Sequence, residues 1–150
     1  MPEFDHSSFK GRGEPHKHGS NLTQVYNAAG VCMIVFGDAY GHADFLIEAL
    51  QTITGWDLTK EEMLKTGERI DNIRQAFNIR EGLTSPWKYP DRMLGVPPKT
   101  EGPRAGITVS EDDLYNEYYA ARGWDRKTGK PSKEKLLELG LDDVARVLWP

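Results

Sequence analysis

One cysteine in 150 residues excludes an intramolecular disulfide and fits a reducing compartment such as the cytoplasm. No apolar run reaches the roughly 18 residues that a membrane-spanning helix needs. The first 20 residues lack the apolar stretch of a secretory signal. Basic residues are outnumbered, 19 Lys and Arg against 23 Asp and Glu, a net charge of -4, and they form no clustered face of the kind that binds nucleic acid. Hydrophobic residues are also scarce, at 38%. That share predicts long loops or a surface meant for a partner. Missing too are a nucleophile–base pair, a phosphate loop and a His-Glu-x-x-His helix. Gly11-Arg12-Gly13 is too short to cradle a phosphate, and Asp112-Asp113 are explained by the dipole of the helix they start.

What is present reads as helices. Residues 1–20 show no period and are expected to form a polar arm. The arm holds His6, His16 and His18, and the His16/His18 pair lacks a Cys or carboxylate at ligand spacing, which favours a solvated role over a metal site. The domain proper is expected over 21–150. A first helix is predicted over 21–36, capped by Ser20 or Asn21, with Leu22, Val25, Tyr26 and Ala29 at helical spacing and Gly30 interrupting them. The run Val31 to Phe36 suits a buried strand or a buried helix end. A second helix is predicted over 42–53, ended by Gly55. Thr59-Lys60-Glu61-Glu62 forms a capping box for a third helix reaching Arg80. Its apolar stripe is Met63, Gly67, Ile70, Ile73 and Phe77, with Glu68, Arg69, Asp71 and Arg74 off that stripe.

Residues 81–109, rich in Pro and Gly, predict a long loop laid across the domain or a neighbour, since Trp87, Tyr89 and Met93 need somewhere to pack. Ser110 caps a helix to Arg122, whose Tyr118 and Tyr119, with Trp124 beyond it, are expected in the core. Ser132 caps a short helix to Leu139, and Asp142 starts a last one to Leu148. The fold class is therefore all-α, an irregular helical bundle with a long Pro/Gly-rich loop.

Several segments, in order, carry a family resemblance. Asn27-Ala28-Ala29-Gly30-Val31-Cys32 resembles the Asp-x-x-Gly-Leu-Cys motif of the tungsten-containing aldehyde:ferredoxin oxidoreductases. Ala76-Phe77-Asn78-Ile79-Arg80-Glu81-Gly82 is similar to a further signature of that family. So are Tyr118 through Asp125 and the ending from Gly129 to Ala145. The resemblance covers most of residues 21–148 and points to the family's C-terminal helical domain. It implies that Cys32 is the fourth thiolate of a [4Fe–4S] cluster, and that Asn27, Gly30 and Val31 contact a tungsten (or molybdenum) bis-pterin. One cysteine cannot hold a cluster, so three ligands must come from outside this chain, and the chain alone is expected to carry a free thiol and no cofactor. Asn27 replaces the family's Asp and loses its charge, although an amide both donates and accepts.

The implied reaction is oxidation of an aldehyde to a carboxylate with ferredoxin as electron acceptor. The implied partners are the parent enzyme's remaining domains, with room for a homo-oligomer. The resemblance extends to subunits that reduce aromatic thioesters. A non-catalytic helical interaction module is the alternative from another class. Arg69, Arg74, Arg80 and Glu81 suit either a pterin phosphate or structural ion pairs, and the second is expected.

Overall fold

The computed structural model describes residues 10–32, 43–83 and 88–150. They form six helices: α1 (Gly13–Ala28), α2 (Ala43–Thr54), α3 (Lys60–Arg80), α4 (Glu111–Arg122), α5 (Lys133–Glu138) and α6 (Asp142–Leu148). Among the described residues there is no strand, only an isolated bridge between Trp124 and Pro131, so the fold is all-α as expected.

Local chemistry explains most boundaries. Thr59, Ser110 and Ser132 each offer a hydroxyl to the backbone N–H three residues on, at 3.1, 3.3 and 3.1 Å. Each satisfies one of the donors a helix start leaves unpaired. The capping box at Thr59 is only half made, because the Glu62 carboxylate takes the Arg69 guanidinium at 2.8 Å. After α4 the chain reverses at Gly123, whose φ of 67° suits glycine. Its neighbour Trp124 then donates its N–H back to the Tyr119 carbonyl at 2.9 Å.

α1 departs from expectation at both ends. It starts at Gly13, so residues 13–20 are helical rather than an arm, and the expected boundary at 20/21 falls inside a helix. The cause is distant in sequence. The Glu117 carboxylate of α4 accepts the N–H groups of Gly11, Arg12 and Gly13 at 2.8, 2.8 and 3.1 Å. That carboxylate does the work of a local cap and sits well against the positive end of the helix. α1 then stops at Ala28 rather than 36, because Gly30 turns the chain at φ 71° and the Val31 N–H folds back onto the Tyr26 carbonyl at 3.0 Å. The expected continuation through 33–36 lies outside the described residues.

α3 runs between two apolar clusters. One joins Leu22, Val25, Tyr26, Leu46, Ile47 and Met63; the other joins Ala76, Leu136, Ala145 and Leu148. α1 crosses α3 at Gly67, where any Cβ would run into the Asn21 carbonyl, so glycine is required for the helices to approach this closely. The expected stripe of α3 holds only at its start. Met63 and Gly67 are buried, whereas Ile73 and Phe77 are 45% and 54% exposed. Glu68, Asp71 and Asn72 are buried instead, because neighbouring segments supply a partner for each: Lys17 and Lys135 for Glu68, Arg122 for Asp71 and Trp124 for Asn72.

The loop from 88 to 109 touches the bundle at Tyr89. That ring stacks on Tyr115 of α4, centroids 6.1 Å apart, and the Tyr89 N–H donates to the Glu111 carboxylate at 2.6 Å. Beyond that point the loop folds on itself, the Val109 N–H meeting the Leu94 carbonyl at 2.8 Å and Gly106 meeting Lys99 at 2.9 Å. Met93, expected to pack, is 67% exposed. Trp87 lies outside the described residues.

Candidate functional site

The residues singled out by the sequence gather at one place, the turn closing α1. Asn27 occupies the helix's last turn and is exposed. Gly30 is exposed, and a Cβ built on it would meet no atom of the described residues within 4 Å. Its positive φ is reason enough for glycine, independent of any ligand. Val31 is half-buried and packs against the first apolar cluster, which pins the turn to the core. Cys32 follows as an exposed free thiol. Thus one side chain anchors the turn while an amide, a bare backbone and a thiol face outward.

Cys32 follows a helix C-terminus, where the last carbonyls carry partial negative charge. The activated nucleophilic cysteines instead sit at helix N-termini or beside cations. One residue before Asn27, the Tyr26 hydroxyl is buried with no hydrogen-bond partner among the described residues, and burial pushes its phenol above the ordinary range. One thiol and one amide are too few donors to hold a metal cluster by themselves. Among the described residues no three His, Cys, Asp or Glu side chains group as metal ligands.

Other candidates have ordinary employment. His16 and His18 stand two places apart on α1, which turns them to different faces, and His16 packs edge-on against Tyr118, centroids 4.8 Å apart. Arg69 donates to the Leu139 carbonyl at 2.9 Å, Arg74 to Gln24 at 2.7 Å, and Arg80 to Glu81 at 2.9 Å. These are three separate contacts with different parts of the chain. Tyr119 is buried and Tyr118 and Trp124 are half-buried, forming an aromatic group beside Arg122.

Arg122 is the residue that sequence reasoning passed over. Placed at a helix end, it is fully buried and gathers three helices. Its guanidinium donates to Asp71 of α3, to Asn21 of α1 and, at 3.0 Å, to the Tyr118 hydroxyl. Ser20 donates to the same Asp71 carboxylate at 2.7 Å. Nearby, the Trp124 ring N–H donates to Asn72 at 2.9 Å, and Glu68 lies between Lys17 and Lys135 at 3.5 and 3.6 Å. The helical wheel puts Asp71 on the arc of Gly67, but nothing near it in the sequence points to Arg122 as its partner.

Among the described residues no helix is long and apolar enough to cross a membrane. Comparison with known proteins gives a match over residues 2–141 to the family model described as aldehyde ferredoxin oxidoreductase, domains 2 and 3. The tungsten-containing aldehyde ferredoxin oxidoreductase of Pyrococcus furiosus is 40% identical over 124 residues, covering 81% of this chain and 20% of that protein. The proteins of the same name from Pyrococcus abyssi and Thermococcus kodakarensis are 39% and 38% identical, again over 82% and 81% of this chain and 20% of theirs. The chain therefore spans about a fifth of the length of these relatives. A helical fold, ordered signatures and a family match over nearly its whole length place this chain in the aldehyde ferredoxin oxidoreductase family, in the portion described as domains 2 and 3.

Proposed function

We propose that this chain is the C-terminal part of an oxidoreductase that oxidises aldehydes to carboxylates and passes the electrons to ferredoxin. In this reading Cys32 supplies one ligand of a [4Fe–4S] cluster, and Asn27, Gly30 and Val31 form one edge of a tungsten–pterin pocket. The observation that carries it is the turn at the end of α1, where an exposed thiol and an exposed amide flank a backbone that no side chain of the described residues covers. The metal–pterin group, when bound, supplies the redox chemistry. The chain's own share is placement. Val31 holds the turn against the core, Gly30 permits a flat group to approach the backbone, and the Asn27 amide can donate or accept at a pterin edge. A thiolate from Cys32 completes a ligand set whose other members lie outside this chain.

The test is iron and tungsten content, with a visible spectrum, of the assembled protein purified without oxygen. Cys32→Ala lowers iron and bleaches the spectrum if the thiolate is a ligand. Unchanged iron overturns that role.

The second reading, a helical interaction module without redox chemistry, draws on the exposed Phe45, Ile53, Trp56 and Phe77. It predicts an assembled protein free of iron and tungsten.

A further inference from the structure

The second half of α3 is built inside out. At about 100° per residue, Ile70, Ile73 and Phe77 fall within an arc of roughly 60°. Ile73 and Phe77 on that arc are 45% and 54% exposed, and Ile70 is half-buried. The opposite side buries the carboxylate of Asp71 and the amide of Asn72. An amphipathic surface helix does the reverse, turning its apolar stripe to the core and its polar residues to water. This inversion is not a folding defect, because the buried polar groups are all engaged: Asp71 by Arg122 and Ser20, and Asn72 by Trp124 and the Glu68 carbonyl. The helix is anchored to its own chain through these polar contacts and through Ala76 and Ile79, and it turns its Ile70–Ile73–Phe77 row outward, with the Arg80 guanidinium over the Phe77 ring at 5.0 Å. A helix apolar outward and packed inward is one with neighbours on both sides, an interior helix of something larger.

We propose that the Ile70–Ile73–Phe77 row is a docking face covered by the polypeptide that carries the rest of the family fold. Two observations identify that occupant. The chain matches the portion described as domains 2 and 3, which leaves a first domain elsewhere. It also spans only 20% of its relatives, so four-fifths of their length is available to cover this face. The proposal rests on the reading of the chain as part of a larger oxidoreductase.

The experiment is hydroxyl-radical footprinting of Phe77 on two samples: the 150-residue chain alone, and the assembly recovered from its own cells through a tag on this chain. The other polypeptide sequence in that assembly is identified by mass spectrometry. Phe77 is expected to label freely in the chain alone and about tenfold less in an assembly that contains a first domain of this family. Phe77→Ser and Ile73→Ser should leave the helical circular dichroism of the chain intact and release that polypeptide from the assembly. Equal labelling in both samples, with the first domain present, overturns the face and leaves the larger reading standing. An assembly without any such domain overturns the reading, and the proposal with it. Protection of Phe77 in the isolated chain, sedimenting as a dimer that the serine variants dissociate, assigns the face to a second copy and overturns the proposal. Loss of helicity in both serine variants makes the row part of the core and does the same.

Discussion

Asn21 and Asn27 stand six places apart on one helix and meet opposite conditions. Asn21 is 4% exposed, its side chain receives the Arg122 guanidinium, and its own carbonyl is pressed by Gly67 of the crossing helix. Asn27 is exposed, one residue from the helix end and three before a glycine whose side-chain position meets no atom of the described residues. The middle of α1 is where three helices are held together, and its end is where, in the proposed function, the chain offers groups to a ligand. Holding and offering are thus separated along about 9 Å of a single helix. A rigid middle gives the exposed end a fixed position, which a ligand shared with another polypeptide requires.

The sharpest way to break this comparison is to remove the guanidinium. Arg122→Ala leaves the Asp71 carboxylate buried without its cation, and breaking such a pair costs about 3–5 kcal/mol. Asn27→Ala should stay within about 0.5 kcal/mol, as exposed substitutions do. Urea denaturation of both variants decides. A cost below about 1 kcal/mol for Arg122→Ala would mean that the junction behaves as a surface ion pair, and the distinction between middle and end would collapse.

Two glycines sharpen it further. Gly67→Ala forces a methyl into the Asn21 carbonyl, and overpacking of this kind costs about 1–3 kcal/mol or more. Gly30→Ala meets no atom of the described residues and suffers its φ of 71°, a strain of about 1–2 kcal/mol. Asparagine separates the causes, since it tolerates left-handed backbone. Gly30→Asn should recover part of the loss seen with alanine, and Gly67→Asn should be worse than alanine. Recovery at Gly67 would show that the helices are not in backbone contact there.

These contrasts also explain what could be read from the residues alone. Thr59, Ser110 and Ser132 were legible because a cap acts over three residues. So was the close of α2 at Gly55, where φ is 72°. The start of α1 was not, because its cap is Glu117, more than a hundred positions away. Nor was the true face of α3, because a stripe of Ile and Phe normally marks the core, and nothing local to Asp71 announces that Arg122 will meet it. The turn from Asn27 to Cys32 was legible through a family motif rather than through its period. Its geometry adds that Gly30 answers to the backbone first.

The smallest expected effect concerns the other end of α1, and it is one of pH. The Glu117 carboxyl is held below its ordinary value of 4.5, first by the Gly11 N–H, with burial opposing and the Gly13 and Arg12 N–H groups and the Lys10 charge assisting. Those donors prefer the ionised form. A carboxyl depressed by folding contributes its full stabilisation above the ordinary value. It loses that contribution as pH falls through the lowered one. The first turn of α1 should therefore stay closed at neutral pH and fray in acid, while the Arg122 junction, buried and held by hydrogen bonds to three side chains, persists longer. Amide exchange read residue by residue should show Gly11, Arg12 and Gly13 opening at a higher pH than Asn21. Glu117→Gln keeps one acceptor oxygen and removes the charge, so it should open those three amides at neutral pH and flatten their response to acid. If their exchange follows that of Asn21 through the whole titration, the helix melts as one unit, and the separation of a held middle from its ends belongs to the middle and the Cys32 end alone.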